Sequence, residues 1–364
     1  MNILQKYASL LVHYCLELKS GEKLFVSTTT LAEPLLREVY REAIKVGAHV
    51  EFQLSFREQN RIFIQEASDH QLDYVNPSYV NMMQTYDAYL VIRAPFNVRE
   101  DQSNDAAKAG KRQKALNVVN QIYAERIADR SLKRCLCQFP TQASAQEAGM
   151  SLEEYQMFVY EACHLFADNP EDEWLKVRAE QQHIVDYLNR SDVMRYKNNK
   201  TDITFRVKNR IWINSDGRSN MPSGEVFTGP IENSVNGYIY FSYPTVYMGH
   251  DVEGVTLFVE NGYVIRWEAE KGREFLEEIF KIDGSRHFGE VAVGTNYNIQ
   301  RTTKNILFDE KIGGSVHMAI GQSYKQTGGQ NTSPIHWDLI TDMKNGGEIF
   351  ADGKLIYKNG KFII

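Results

Sequence analysis

Cysteine is scarce in this sequence, with four residues (15, 135, 137 and 163) in a chain of 364. So few thiols in so long a chain do not resemble a disulfide framework, and a cytosolic protein with reduced cysteines is expected. Long apolar runs are missing as well. No segment approaches the ~18 apolar residues of a membrane span. The opening MNILQKYASLLVHYCLELKSGEK is broken by His13 and Glu17 and has no small-residue cleavage site after it, so no secretory signal is expected. Nor is there an excess of positive charge. The 41 Lys and Arg stand against 47 Asp and Glu, a formal −6, which argues against a nucleic-acid binder that works through a whole-domain basic field, though not against a local patch. G-x-G-x-x-G, G-x-x-x-x-G-K-[ST] and H-E-x-x-H are all absent. Nucleotide cofactors and zincin-type proteolysis are therefore set aside.

What is present is ordinary globular material, 43% hydrophobic and 24% charged, enough for a sizeable core without staples. Apolar residues at Ile3, Tyr7, Leu10, Leu11, Tyr14 and Leu18 share one helical face, and Gly21 is expected to close that helix. A β-rich run from Leu24 to Thr29, a helix with Pro34 in its first turn and Gly47 past its end, and an alternating run from His49 to Ser55 make a strand–helix–strand unit. Strand candidates at 88–95 and 132–140 and helix candidates at 104–129, 151–167 and 170–188 continue the pattern. Ser151-x-x-Glu154 reads as a capping box. From about residue 190 the chain becomes strand-rich, with hairpin signals at Asn261-Gly262, Asp352-Gly353 and Asn359-Gly360. The expected architecture is an α/β N-terminal domain with a mostly parallel sheet over 1–188. A strand-rich, α+β C-terminal domain follows over 189–364.

Four short strands of the second half carry metal-type ligands beside small residues. Glu225 follows Gly224 in GEVFTGP. In RHFGEVAVGTN, Glu290, Ala292 and Gly294 share one face. In GGSVHMAIGQSY, His317, Ala319 and Gly321 do so, and in SPIHWDLI, His336 and Asp338. Alternation with a period of two puts Val291, Val293, Val316, Met318, Ile320, Ile335, Trp337 and Leu339 on the opposite faces. Taken singly, a His-x-Asp on a strand is an ordinary surface pair, Glu290 an ordinary strand-face carboxylate and Glu225 a turn residue. Together they are costly to bury unless they share cations, and an oxygen and imidazole donor set without cysteine suits Zn²⁺, Co²⁺ or Mn²⁺.

The ordered motifs GEVFTGP, GEVAVG, LFDE followed by GGSVHMAIGQSY, and IHWDLI resemble those of peptidase family M29, the thermophilic metallo-aminopeptidases of the aminopeptidase T and aminopeptidase S type. The likeness extends over the whole chain, its specific part being C-terminal. It implies a dinuclear metal centre of two divalent cations per chain, with Glu225, Glu290, His317, His336 and Asp338 as ligands and Glu290 bridging. Glu310 falls where the family has a further acidic residue and is counted with the candidate metal ligands, and Tyr324 matches a tyrosine at the family's metal site. The implied activity is hydrolysis of N-terminal residues from short peptides by a metal-activated bridging water. Tyr324 would donate to the developing oxyanion, and Glu290 or Glu310 would carry the proton. The resemblance also implies a homodimer. Neither nucleic acid nor membrane is expected as a partner.

Two other readings use the same residues. A related dihydroxypyridine-type dioxygenase would hold one Fe(II) with His317, His336 and Asp338 alone, and would not need both Glu225 and Glu290. A non-catalytic member of the fold would only bind a ligand. Elsewhere the signals are weaker. Cys135-x-Cys137 reads as buried core, His13 and His183 as helix-surface residues, and KRQK (111–114) as a solvated face. His250 and Asp251 sit at a turn near the substrate or simply at the surface. His287 is either a partner to the ligands or a turn residue. Gly328-Gly329 belongs to a flexible loop before His336.

Overall fold

A computed structural model describes residues 1–364, which divide into two compact units. The first comprises Met1–Glu171 with Gly217–Pro222. Its five-stranded sheet runs in the order His49–Ser55, Lys23–Thr29, Ala88–Arg93, Lys133–Gln138, Asn220–Met221, with every pair parallel. The strand–helix–strand reading holds here. Glu33–Val46 is helical, with Pro34 in its first turn, and Gly47 ends it at φ +87°. Ser151 and Glu154 close a reciprocal capping box on Leu152–Ala162. The opening helix is shorter than expected. Ile3–Ser9 is α-helical, Leu10–Cys15 widens into π-helical turns, and Gly21 lies beyond in a turn. The wider winding places Leu10, Leu11, Val12, Tyr14 and Cys15 all in buried positions. The four cysteines are free and buried. His13 lies 3.5 Å from Glu42 at the surface, and Lys111 of KRQK pairs with Asp69 and Asp73.

The second unit comprises Asp172–Asp216 and Ser223–Ile364. Its division from the first lies ahead of the place expected at 188/189, because Pro170–Leu188 gives Ile184, Val185 and Leu188 to the second unit's core. Residues 217–222 return to the first unit as an added parallel strand. The second unit holds an eight-stranded sheet and a five-stranded antiparallel sheet. The latter is ordered His336–Asp342, Ser315–Gly321, Phe288–Gly294, Glu225–Thr228, Ile213–Ser215. The two sheets share one hydrophobic core. All three asparagine- or aspartate-glycine hairpins form as expected, each with both turn residues at positive φ, the geometry that matches strand twist.

Candidate metal centre

The five-stranded sheet positions the ligand candidates. Val226, Val291, Val293, Val316, Met318, Ile320, Ile335, Trp337 and Leu339 enter the hydrophobic core, so the alternate residues must take the other face. Every residue of Glu225–Thr228, Phe288–Gly294 and Ser315–Gly321 is buried, so that second face is covered too. The register explains how polar groups fit there. Glu225 lies opposite Gly294, and His317 opposite Ala292. Glu290 and Asp338 flank Ala319, and His336 faces Gly321. Each functional side chain thus has an alanine or glycine across the ladder, which leaves room above the sheet. Backbone also approaches closely. A Cβ at Gly321, whose φ is +99°, would stand 2.2 Å from the Ile335 carbonyl oxygen, and one at Gly289 would stand 2.3 Å from that of Gln322.

The side chains converge into two groups whose ligand atoms lie within 4.8 Å of one another, Glu225–Glu290–His317 and Glu290–His336–Asp338. His317 Nε2 is 3.3 Å from Glu225 Oε2 and 3.5 Å from Glu290 Oε1. His336 Nε2 is 3.2 Å from Glu290 Oε2 and 3.5 Å from Asp338 Oδ1. Glu290 therefore spends one oxygen on each group. His336 Nδ1 lies 2.7 Å from the Gln322 carbonyl oxygen, which can only accept, so Nδ1 carries a proton and Nε2 is the nitrogen turned to the carboxylates.

The donor set fits divalent cations. Glu225 Oε2, both nitrogens of His317 and Asp338 Oδ1 are buried without a hydrogen-bond partner, an arrangement that is costly unless something charged joins it. Electrostatics agree. Burial disfavours charge on Asp338, yet His336, His317 and Lys311 outweigh it and hold the carboxyl down to about 2. Burial also opposes charge on His317, but Glu290, Glu225 and Asp338 carry its imidazole up to about 9. His336 is raised against burial by Asp338 and Glu290. The surrounding carboxylates thus favour the protonated form of both imidazoles, and a cation binding there would displace those protons. Loading with Zn²⁺ in weak buffer at pH 7 is expected to release about two protons per chain, with affinity rising as pH climbs towards the His317 pKa of about 9. Calorimetry in buffers of different ionisation enthalpy measures this, and a release near zero would contradict imidazole ligation.

Glu310 is brought close but joins neither group. Its Oε1 contacts Lys311 Nζ. Burial raises its carboxyl, with Glu225 and Asp338 adding to the effect and Lys311 opposing it. Tyr324, 43% exposed, sets its ring 5.0 Å from that of His336 and 5.6 Å from that of Phe227. Partial burial and the charges of Glu290, Asp338 and Glu310 raise the Tyr324 hydroxyl, with His336 opposing, so it remains a protonated donor. The loop before His336 is tied down rather than loose. Gln322 Oε1 accepts from Ser333 N, Asn331 Nδ2 donates to the Gly284 and Gly321 carbonyls, and Thr327 O accepts from Ile211 N. His287 packs its ring edge-on against Tyr263, and the carbonyl that orients His336 is Gln322's. His250 stacks on Phe275, while Asp251 pairs with Lys271 and Lys304. Sequence reasoning missed Lys311, fully buried and 3.6 Å from Glu225 Oε1. Its one signal was its place directly after Glu310.

Residues 1–362 match the family model described as thermophilic metalloprotease (M29). Aminopeptidase 2 of Geobacillus stearothermophilus is 26% identical, over 98% of this chain and 95% of its own. Aminopeptidase PepS of Streptococcus thermophilus is 27% identical, over 99% and 98%. Aminopeptidase AmpS of Bacillus subtilis (strain 168) is 31% identical, but the match spans 62% of each chain, under two thirds of that protein. Among solved structures, wild-type AmpT from Thermus thermophilus superposes with a TM-score of 0.86 at 24% identity, covering 100% of this chain and 99% of its own, a likeness of fold.

Proposed function

The chain belongs to the M29 family of thermophilic metalloproteases, and from that premise we propose that it is a dinuclear metallo-aminopeptidase that removes N-terminal residues from short peptides. The observation that carries the dinuclear reading is Glu290, whose Oε1 faces His317 and whose Oε2 faces His336. A carboxylate placed in this way suits a bridge between two cations. Glu225 and His317 would complete one position, and His336 and Asp338 the other. Zn²⁺, Co²⁺ and Mn²⁺ all accept these donors. When bound, such a pair supplies Lewis acidity for a peptide carbonyl and makes a water molecule a stronger nucleophile near neutral pH. The aminopeptidase relatives support an N-terminal exopeptidase, and the same reading has the enzyme as a cytoplasmic homodimer.

The chain's own residues have distinct parts in this proposal. Tyr324, kept protonated, donates to the carbonyl oxygen as negative charge develops on it. Glu310, whose Oε1 contacts Lys311 Nζ, accepts the proton that the attacking water gives up and passes it to the leaving amine. Acidic groups of the site attract the substrate's free α-ammonium, which selects the chain end. A single-iron dioxygenase is not favoured, because both Glu225 and Glu290 stand among the ligand groups and an iron triad uses neither. Assay of chromogenic aminoacyl substrates with and without chelator tests the reading. Chelator-sensitive release of the first residue is expected, and absence of peptidase activity in metal-loaded protein would refute it. Tyr324→Phe is expected to lower kcat about 10- to 100-fold while changing KM less than about threefold, since an oxyanion donor acts in the transition state. A change confined to KM would mean that the ring only lines the pocket.

A further inference from the structure

Lys311 has no part in the mechanism above, yet it is the most unusual side chain in the site. It follows the short helix Ile306–Asp309 and has no exposed side-chain surface. A lysine buried so completely needs partners, and it has them, since its Nζ contacts Glu310 Oε1 and lies 3.6 Å from Glu225 Oε1. The two oxygens of Glu225 are thereby differentiated. Oε1 faces the ammonium, while Oε2 faces His317 Nε2 at 3.3 Å and has no hydrogen-bond partner. The other group is built differently. Asp338 Oδ1 and Glu290 Oε2 are approached by imidazoles within 4.0 Å, while the Lys311 ammonium acts on Asp338 only from beyond that distance.

We propose that Lys311 is a fixed counter-charge that holds Glu225 by one oxygen and makes the two cation positions unequal, so that the Glu290–His336–Asp338 position takes a divalent cation more tightly than the Glu225–Glu290–His317 position. The inference rests on the dinuclear reading and concerns the order and relative strength of loading. Glu290 serves both positions, so the difference lies in what accompanies it. Asp338 brings a negative charge whose ion-pair contacts within 4.0 Å are imidazoles alone. Glu225 faces, on its Oε1 side, an ammonium that it shares with Glu310 and that has the same sign as the incoming cation. In a site this buried, solvent and salt do little to screen that repulsion. Lys311 is thus a positioning residue. It aims Glu225 Oε2 into the weaker position and keeps that position from filling first.

The test is titration of Zn²⁺ into the metal-stripped, full-length protein by calorimetry, with equilibrium dialysis and elemental analysis as an independent count. Two separable events are expected, the second weaker by about tenfold or more. Glu225→Gln should remove the weaker event and leave the tighter one, and Asp338→Asn should do the reverse. Lys311→Met should strengthen the weaker event by about tenfold or more and bring the two together. Two equal events in the unaltered protein would overturn the proposal. So would an unchanged weaker event in Lys311→Met, or loss of the tighter event in Glu225→Gln. Should Lys311→Met fail to fold without metal, the Glu225 and Asp338 variants decide on their own. Saturation at one cation per chain, or at none, is a different result, one that overturns the dinuclear reading itself.

Discussion

Glu290→Ala is expected to lower kcat/KM by roughly 10³-fold or more, a loss of about 4 kcal/mol in transition-state stabilisation. The size of the effect follows from geometry. This one carboxylate stands between both imidazoles, 3.5 Å from His317 and 3.2 Å from His336, so its removal takes a shared oxygen donor from both candidate ligand groups at once. The fold should survive. Glu290 lies opposite Ala319 in the middle of a strand whose other face, through Val291 and Val293, remains packed in the core. Circular dichroism and gel filtration should match the unaltered protein while hydrolysis of an aminoacyl substrate disappears. Near-normal turnover in a well-folded Glu290→Ala variant would remove the bridging role.

Metal removal should act as strongly and also on stability. Dialysis against chelator is expected to abolish peptidase activity by roughly 10³-fold or more, with recovery on adding back Zn²⁺, Co²⁺ or Mn²⁺. Because Glu225 Oε2, His317 Nε2 and Asp338 Oδ1 are buried without hydrogen-bond partners, cations should stabilise the folded state as well. A ligand at 1,000 times its Kd contributes about 4 kcal/mol, which corresponds to roughly a 10 °C rise in Tm for a unit of this size. Thermal denaturation with and without added cation measures it. An unchanged Tm together with chelator-resistant activity would argue against metal at this site.

Much of this centre was legible because strand periodicity is a strict rule. Once Val316, Met318 and Ile320 are assigned to the core, His317 must face the other way, and it does so with Ala292 across from it. The run of Ala and Gly beside the candidate ligands was the second signal, and the register gives its meaning, since those small residues are the cross-strand neighbours of these side chains. Lys311 was not legible, because lysine is ordinarily a surface residue and its place directly after Glu310 does not mark it as fully buried. The contact between Glu310 and Lys311 was hidden for the same reason. At the fold level, the parallel sheet and the three hairpins followed from caps and turn residues. The end of the opening helix did not, since π-helical winding leaves the apolar spacing intact while changing where the helix stops. The allegiance of Pro170–Leu188 was equally silent. Its sequence states that one face is apolar, but not which core receives Ile184, Val185 and Leu188.

The most direct test of the account is the number of divalent cations the full-length chain retains after saturation and removal of excess, read by elemental analysis beside the Glu290→Ala variant. Two per chain are expected, about the stoichiometry of a paired-cation hydrolase, with that number falling sharply when Glu290 is lost. A single iron per chain, or a count that does not change without Glu290, would contradict it.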